Sequence, residues 1–347
     1  MQVQWQVKIY QFRGIGLFKA TLQNGSKSAA APQSPTEFSI VVAVLTYKRN
    51  DLLQNLLASY AEMEIPSGIR SVLIVVDNDS AASAQPIVEA QRSSLGEVQY
   101  VVESRRGIPV ARNRALDEAL ALGADAVCFI DDDEYPARNW LKELISCWKS
   151  TGAHLIGGPV NVASPPDNAN AWHRAINASL AARMRRKNRT TAHRASTGGR
   201  YTVVTNNWLC DVRWLRRTGI RFDETMQISG GSDTAFFRSA RAAGATPAWC
   251  PNAVVWEKLS LDRLSLSYQF IRGAAQSNTH FILKNPKLFV PSLPLNILYF
   301  ALRFLLGLVL LVIPVYGLAS PVMAVRSMGW SVGRIQALLG FRSSLYK

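Results

Sequence analysis

Four short runs of apolar residues recur along the first half of the chain at intervals of roughly 30 residues, and this alternation most constrains the fold. Each run is rich in Val, Ile and Leu, which is typical of a strand buried on both faces of a sheet. Stretches with apolar residues at helical spacing follow the first three runs. The pattern predicts an α/β fold with a doubly wound, mostly parallel sheet flanked by helices. The predicted strands cover residues 38–47, 71–78, 98–104 and 126–134, and the predicted helices cover residues 50–63, 83–93 and 108–122.

Polar and acidic residues stand at the ends of these predicted strands. Thr46 and Tyr47 end the first run, Asp77 and Asp79 follow the second, and residues 131–134 end the fourth with the sequence DDDE. In doubly wound sheets, ligands bind beyond the carboxyl ends of the strands. We therefore expect these side chains to meet at one edge of the sheet and to form the functional site.

The four consecutive carboxylates at residues 131–134 point to a bound cation. Adjacent carboxylates repel one another, so a folded chain retains them where a cation shares the charge. Oxygen ligands of this kind favour Mg²⁺ or Mn²⁺ that also holds a substrate phosphate. A solvated acidic turn is the alternative, but the position after a buried strand favours the metal site.

Three further side chains near this edge have the chemistry to bind a nucleotide. Tyr47 offers a ring for stacking, and Arg49 offers donors for phosphate or base oxygens. Arg112, near the start of the third predicted helix, could direct its guanidinium at a carboxylate or a phosphate. A surface arginine on an amphipathic helix is the alternative for Arg112.

The net charge of +15 is concentrated in one part of the chain. Residues 172–217 contain eleven Lys or Arg and a single acid, Asp211. Such a region favours phosphate-bearing partners, which include nucleic acid, anionic lipid and pyrophosphate substrates. No nucleic-acid recognition motif accompanies the charge, so we expect no nucleic-acid partner. The four cysteines are far apart in the sequence, and no two of them form a CxxC motif. This pattern is typical of a reduced intracellular protein.

An ordered set of motifs resembles glycosyltransferase family 2, the large inverting group with the GT-A fold. The segments are VVAVLTYKRN, VDNDS, GIPVARNRAL, CFIDDDEYP, GIRFDE and GGSDTAFFR, and together they span about residues 38–270. These motifs are most similar to those of bacterial enzymes that extend exopolysaccharide and surface-polysaccharide repeats. The resemblance implies a metal-dependent hexosyltransferase that moves one sugar from a UDP-sugar to a saccharide acceptor. It also implies that this acceptor is attached to a lipid.

The resemblance also implies a role for each matching residue. Asp131 and Asp133 fill the Asp-x-Asp positions, with Asp133 as the principal ligand of Mn²⁺ or Mg²⁺, and Asp233 in GGSD matches the base that deprotonates the acceptor hydroxyl. The nucleotide-sugar site would consist of Thr46, Tyr47, Arg49, Asp77, Asp79, Arg112, Asp131 and Asp132.

The sequence departs from the family pattern at two positions. Ser232 precedes Asp233 where the family usually has Glu, and Glu257 stands where relatives often carry His. The roles of these two residues stay open at this point. The Gln-x-x-Arg-Trp signature of processive synthases is also missing, which favours the addition of a single sugar.

Two other functions compete with sugar transfer. A nucleotidyltransferase shares a similar sheet and metal chemistry, but it usually has a Gly- and Lys-rich phosphate loop after the first strand, and TYKRNDLL offers none. A membrane-bound basic binding protein without catalysis would explain the positive charge but would leave the acidic strand ends without a purpose.

The sequence divides into four regions, the first of which, residues 1–37, is predicted to be a flexible lead-in. Residues 38–150 would form the nucleotide-sugar half and 151–285 the acceptor half, while 286–347 would associate with a membrane.

Within the last region, residues 304–325 carry no formal charge over 22 positions, above the ~20 needed for a span. Pro314 and Pro321 interrupt them, so a kinked span, a re-entrant hairpin and an in-plane anchor stay open. The basic stretch 183–194 would face an anionic membrane or a lipid-pyrophosphate acceptor, which places the protein at the cytoplasmic face of the bacterial inner membrane.

Overall fold

The structure is a computed structural model that describes residues 38–226, 231–284, 293–313 and 319–342. The predicted lead-in over residues 1–37 lies outside the described residues. The four predicted strands are present and parallel to one another. They are β1 (Phe38–Thr46), β2 (Ile69–Asp77), β3 (Glu97–Val102) and β4 (Ala126–Asp131).

The central strands are buried on both faces, as their continuous apolar sequences predict. Four helices cover them: α1 (Asn50–Ala61), α2 (Gln85–Gln91), α3 (Ile108–Ala121) and α4 (Trp140–Thr151). One face of the sheet packs on apolar residues of α1, α2 and α4, such as Leu56 and Trp140. The other face packs on the small side chains of α3, such as Ala115, which let this helix lie close to the sheet.

The second half of the chain extends the same sheet. Six further strands follow β4 along the chain: β5 (Glu134–Pro136), β6 (Leu155–Gly157), β7 (Val160–Val162), β8 (Asn207–Asp211), β9 (Pro247–Trp249) and β10 (Val255–Glu257). Of these, β6, β8 and β9 join the large sheet. The seven-stranded sheet has the order β3-β2-β1-β4-β8-β6-β9, and β8 runs antiparallel to both of its neighbours. The prediction of an α/β fold with a mostly parallel sheet is therefore confirmed.

A small second sheet of three strands, in the order β5-β10-β7, stands beside the large one. The sequence LIGGPVNV suggests one strand over residues 155–162, and this prediction is wrong. The chain leaves the large sheet after β6 and enters the small sheet at β7. Gly158 lies at the crossing, where a Cβ atom would collide with the carbonyl oxygen of Ala253. The residue is glycine because two backbones approach closely there.

The remaining helices lie in the second half and the C-terminal region. They are α5 (Ala171–Ser196), α6 (Val212–Thr218), α7 (Ser232–Ala242), α8 (Leu266–Lys284), α9 (Leu293–Val312) and α10 (Ala319–Leu338). The basic stretch 183–194 lies within α5. Asn170 caps that helix and forms a reciprocal capping box with His173.

The C-terminal helices pack tightly on one another. α10 contacts both α8 and α9, and two glycines of α10 permit a close crossing with α8. A Cβ atom at Gly329 or Gly333 would collide with the backbone of Phe270 or Ala274, respectively. Within the described residues, no helix has both the length and the apolar character required to cross a membrane. Residues 314–318, inside the predicted apolar segment, lie outside the described residues.

Candidate functional site

The carboxyl ends of β1 and β4 meet at one edge of the large sheet, because the two strands are parallel neighbours. The Thr46 hydroxyl donates a hydrogen bond to Oδ2 of Asp132 over 3.0 Å, and Arg49 Nη1 donates to Oδ1 of the same carboxylate over 2.7 Å. Asp132 is only 4% exposed. The first and fourth strand ends are thus joined by a buried carboxylate whose two oxygens are both used.

The neighbouring Asp133 carboxylate binds a second arginine. Arg263 Nη1 lies 2.6 Å from Asp133 Oδ2, and Arg49 Nη1 approaches the same oxygen at 3.5 Å. The backbone of this segment is also held, since the Lys258 amide donates to the Asp133 carbonyl oxygen over 3.1 Å. Two guanidinium groups therefore neutralise the residue expected to be the main metal ligand.

Asp233 reaches the same edge from α7. Gly231 occupies the N-cap of that helix in a left-handed conformation, so Asp233 lies in the first turn and is not the cap. The Arg112 guanidinium forms an ion pair with Asp233 and donates to the Ser232 hydroxyl over 3.0 Å. Arg112 is 6% exposed and also lies within electrostatic range of Asp131. The structure thus pairs Arg112 with Asp233 and brings it within electrostatic range of Asp131.

We call these four residues, Asp131, Asp132, Asp133 and Asp233, the carboxylate edge. Burial raises the pKa of Asp131 to about 7; the nearby guanidinium of Arg112 opposes this, while the charges of Asp133, Asp233 and Asp132 add to it. Burial also raises the pKa of Asp132 to about 6, against the opposing effect of Arg49. The edge therefore carries more negative charge in a desolvated place than its arginines offset.

Glu134 and Glu257 add to this negative charge from the small sheet. They face each other in the antiparallel pair of β5 and β10. Glu134 is 1% exposed, and its carboxylate accepts hydrogen bonds from the Asp131 amide and the Asn206 side chain. Burial and the neighbouring acids raise the pKa of both glutamates. Glu257, whose role the sequence left open, lies 3.5 Å from Arg263.

No group of three or more Asp, Glu, His or Cys side chains in the described part of the chain is arranged to hold a metal ion by itself. The chemistry of the carboxylate edge nevertheless fits a divalent cation. Mg²⁺ typically binds one or two carboxylates and takes its remaining ligands from substrate phosphates and water. Asp131 and Asp133 supply two such carboxylates, and a cation would offset both the burial of the Asp131 carboxylate and the negative charges around it, which raise its pKa.

The second strand end is organised differently. Asp77 is fully buried; one of its carboxylate oxygens accepts from the Asp79 amide, and the other accepts from the Ala84 amide and the Tyr100 hydroxyl. Its bonds fix the loop that follows β2. Asn78 likewise bridges the ends of β2 and β3 through backbone groups of Glu103 and Gly107.

A cavity of about 480 Å³ opens between this loop and the start of α1. Arg49 and Asp79 line it, with Lys48 lying 4.0 Å from Asp79. Close to it in sequence, the Tyr47 ring carries the Arg106 guanidinium at 4.8 Å from its centroid. The structure thus gathers Arg49 and Asp79 around one cavity and leaves the carboxylate of Asp77 inside the fold.

Sequence reasoning missed Arg263, which makes the shortest contact to Asp133. The two residues are 130 positions apart, and Arg263 lies in a short 3₁₀ turn with no motif around it. Its only sequence signal is a basic side chain soon after Glu257, which is too common a pattern to single out. The pairing of Arg112 with Asp233 was also not predicted, although both residues were named.

The solved structures that match this chain include TarS 1–349 of S. aureus. It is 15% identical with a TM-score of 0.49, and the match covers 87% of this chain and 92% of that one. The mannosyltransferase PcManGT from Pyrobaculum calidifontis, solved with GDP-Man and Mn²⁺, is 17% identical with a TM-score of 0.49, covering 91% of this chain and 79% of that one.

The sequence comparisons are more specific. The family model described as Glycosyl transferase family 2 matches residues 41–219, just over half of the chain. The succinoglycan biosynthesis protein ExoM of Rhizobium meliloti (strain 1021) is 33% identical over 242 residues, which cover 70% of this chain and 74% of ExoM. The matched span contains Thr46, Arg49 and the carboxylates that follow β4. The chain therefore belongs to glycosyl transferase family 2.

Proposed function

We propose that this protein transfers one sugar from a UDP-sugar to a hydroxyl group of a saccharide acceptor, with inversion at the anomeric carbon, as a step in bacterial polysaccharide biosynthesis. The observation that carries the proposal is the convergence of Asp131, Asp133 and Asp233 on one desolvated edge, where Arg112 pairs with the last and lies within electrostatic range of the first. The relative ExoM, named for succinoglycan biosynthesis, supports the polysaccharide context.

In the proposed reaction, Asp131 and Asp133 hold a divalent cation, Mn²⁺ or Mg²⁺, together with the donor diphosphate. When bound, the cation would offset the negative charge that grows on the departing UDP. Asp133, which Arg263 and Arg49 neutralise in this structure, would exchange these guanidinium partners for the cation. Their donors are then free to bind phosphate oxygens.

Asp233 acts as the general base. Its carboxylate accepts the proton of the acceptor hydroxyl as the hydroxyl oxygen bonds to the anomeric carbon. The bond between that carbon and the phosphate oxygen breaks on the opposite face, and UDP leaves with the bonding electron pair. Arg112 and the first turn of α7 fix the position of the carboxylate. One displacement of this kind inverts the anomeric centre without a covalent intermediate.

The nucleoside of the donor is assigned to the cavity beside β2. Arg49 and Asp79 line this cavity, and Thr46 and Asp132 join it to the carboxylate edge. Tyr47 would stack on the uracil once Arg106 moves off its ring. Asp77 would act by fixing the loop that carries Asp79.

The acceptor is proposed to be lipid-linked, and the protein to work at the cytoplasmic face of the inner membrane. Two features support this. The basic stretch 183–194 of α5 is largely exposed. α9 also presents a series of exposed apolar side chains: Ile297, Leu298, Leu302, Leu305, Leu306, Val309 and Val312. Apolar side chains beside positive charge are typical of helices that lie in a membrane interface.

The test is UDP release by the purified full chain, with a panel of UDP-sugars, short saccharide acceptors and Mn²⁺. We expect at least one UDP-sugar to be turned over. Asp233→Asn keeps the shape of the side chain and removes the base, so we expect turnover to fall by roughly 10²- to 10⁴-fold. Equal turnover in Asp233→Asn would contradict the assigned base, and no turnover with any UDP-sugar would contradict the proposed reaction.

A further inference from the structure

Two of the four cysteines, far apart in the sequence, lie next to each other in the structure. Cys147 belongs to the C-terminal half of α4, and Cys250 directly follows β9. Both are free thiols. Cys250 is buried in the apolar core, and Cys147 packs at the margin of the same core, where it is partly exposed. The packing of α4 against β9 brings the two side chains together.

The backbone of α4 shows how close the two thiols are. The Cys250 thiol donates a hydrogen bond to the carbonyl oxygen of Glu143 over 3.5 Å. Glu143 lies one turn before Cys147, and in an α-helix the carbonyl oxygen of a residue accepts from the amide four positions later. The Cys250 sulfur therefore lies against the turn of α4 that carries Cys147, and the two side chains interact directly.

Rigid elements hold both residues in place. The Cys250 amide donates to the Gly157 carbonyl oxygen at the end of β6 over 2.8 Å, and the Cys250 carbonyl oxygen accepts from the Ala253 amide over 3.4 Å. On the other side, the buried side chains of Leu144 and Trp148 fix α4 on the core. The two sulfur atoms are thus positioned for reaction with each other before any oxidant arrives, which favours bond formation between them.

The surroundings of Cys250 favour its thiolate, which is the nucleophilic form of cysteine. The interaction with the Cys147 thiol lowers the pKa of Cys250, and the amides of Ala253 and Asn252 lower it further, whereas burial and the charge of Glu143 act in the opposite direction. The same pair interaction raises the pKa of Cys147. We therefore expect an oxidant to react first at Cys250, with Cys147 as the thiol that attacks the product.

The other two cysteines are placed differently. Cys128 in β4 and Cys210 in β8 lie on neighbouring strands, but they pack on opposite faces of the large sheet. Both are fully buried, and burial raises the pKa of both thiols. The sheet therefore keeps these two thiols apart and in the unreactive protonated form, so they serve as internal controls for the pair of Cys147 and Cys250.

We propose that Cys147 and Cys250 form an oxidation site at which a peroxide closes a reversible disulfide between α4 and the segment that leads from β9 to β10. The contact between the two thiols carries this inference, which is independent of the proposed sugar transfer. The bond would tether α4 to the connection that precedes Glu257 in β10.

The reaction has two steps and needs only hydrogen peroxide. The Cys250 thiolate attacks one peroxide oxygen, the O–O bond breaks, and the departing hydroxide takes up a proton and leaves as water. The sulfur of Cys147 then attacks the sulfenic acid on Cys250, an S–S bond forms, and the proton of Cys147 leaves with the hydroxyl group as a second water. The two thiols lose two electrons in total, and the peroxide gains them.

The experiment treats the purified, reduced full chain with hydrogen peroxide near neutral pH, alkylates the remaining thiols and maps the disulfides by mass spectrometry. We expect one bond, between Cys147 and Cys250, which dithiothreitol reverses, while Cys128 and Cys210 are alkylated. Cys147→Ser should leave a sulfenic acid on Cys250 that dimedone traps. Cys128→Ala is the matched control and should form the bond as fast as the wild type does.

The melting temperature gives a second readout. A bond between positions 147 and 250 closes a long loop in the unfolded chain, so the oxidised wild type should melt at least about 3 °C higher than the reduced protein, and dithiothreitol should reverse the rise. Oxidised protein that melts no higher would overturn the proposed tether.

Three results of the mapping would overturn the oxidation site itself. These are peroxide-treated protein in which Cys147 and Cys250 are both still alkylated, a bond that involves Cys128 or Cys210, and a disulfide-linked dimer on a non-reducing gel. The last result would show that the thiols pair between two copies of the chain. The map of the wild type decides between these outcomes even where a cysteine variant folds poorly.

Discussion

The carboxylate edge lies near a group of four cations, Arg183, Lys187, Arg272 and Arg326, which we call the cation cleft, and the chain balances the charges of the two regions in different ways. At the edge, Asp132, Asp133 and Asp233 each bind an arginine directly. In the cleft, Arg272 and Arg326 donate hydrogen bonds to the neutral side chains of Tyr268 and Gln269, and Glu257 lies within electrostatic range of Arg272 without forming an ion pair with it. The edge is thus held in place by its own ion pairs, which an incoming cation must replace. The cleft is left with charge for a ligand to neutralise.

The comparison shows that the burial of a charged side chain does not tell whether the charge is already paired within the protein. A paired buried charge is organised before its ligand arrives, whereas an unpaired one stores repulsion that ligand binding relieves. If this is correct, removing a charge at the edge should change stability, metal binding or turnover, and removing one in the cleft should leave stability almost unchanged. The four predictions below test that difference.

The largest effect is expected for Asp133→Ala. This variant removes the principal proposed metal ligand and leaves Arg263 and Arg49 without their shared carboxylate. UDP release should fall about a thousandfold, the loss expected when metal assistance worth several kcal/mol disappears. The matched control is Asp117→Asn, an exposed acid on α3 paired with Arg221, which should retain wild-type turnover. Near-normal turnover in Asp133→Ala would show that the edge does not carry the reaction.

The second effect is a dependence of stability on pH. The folded-state pKa values of Asp131, about 7, and Asp132, about 6, lie above those of unfolded aspartate. The folded state therefore binds protons more tightly, and the stability it gains at pH 4 is lost as the pH rises through 6 and 7. Without metal, the free energy of unfolding should fall by on the order of 3 kcal/mol between pH 4 and pH 8.

Urea denaturation of wild type and Asp131→Asn across this pH range checks the prediction. The variant should show a shallower decline, and saturating Mn²⁺ at pH 8 should restore stability to the wild type more than to the variant. If the free energy of unfolding fell equally with pH in the two proteins, Asp131 would not be the source of the pH dependence.

The third effect concerns competition for Asp133. Arg263 lies 2.6 Å from the oxygen that a cation would use, and its charge repels that cation. Arg263→Gln should therefore tighten Mn²⁺ binding, measured by calorimetry, by about tenfold. Arg221→Gln, which removes an exposed arginine far along the chain, should leave the affinity unchanged. Weaker Mn²⁺ binding in Arg263→Gln would show that Arg263 organises the site for the metal and does not oppose it.

The smallest effect compares the two regions directly through stability at pH 8. Arg49→Gln removes the closest charged partner of Asp132, which is 4% exposed, and should lower the free energy of unfolding by about 2 kcal/mol. Arg183→Gln removes a cation that has no acidic partner in the described region, so its stability should stay within about 0.5 kcal/mol of the wild type or rise. Equal losses in both variants would remove the distinction between edge and cleft.

Much of the first half of the fold could be predicted from the sequence. The apolar runs predicted β1 to β4, and the spacing of leucine and alanine predicted α1 and α3. Such elements can be predicted because the residues that face the core recur at the period of the strand or helix. The acidic residues at the ends of β2 and β4 were expected at one edge because parallel strands end there, and β1 lies between these two strands. Asp77 shows the limit: its position was predictable, but the bonds that turn it inward were not.

The second half resisted prediction for a physical reason. β6 and β7 are three residues each, too short for a period, and the break between them depends on a carbonyl of Ala253 almost a hundred residues away. The antiparallel strand β8 inserts between β4 and β6 through pairing that no local pattern encodes.

The sequence alone determined the α/β class, the family, and the edge at which the carboxylates gather, because each of these depends on residues near one another in the chain. Only the tertiary structure decided which charges are paired. Arg263 meets Asp133 across 130 positions and Arg112 meets Asp233 across 121. The cations of α5, α8 and α10 lie within electrostatic range of other cations, and within the described residues they form no ion pair with an acid. The energy of two charges depends on the distance between them and on how much water surrounds them. Both are set by the tertiary structure, so the sequence alone does not determine them.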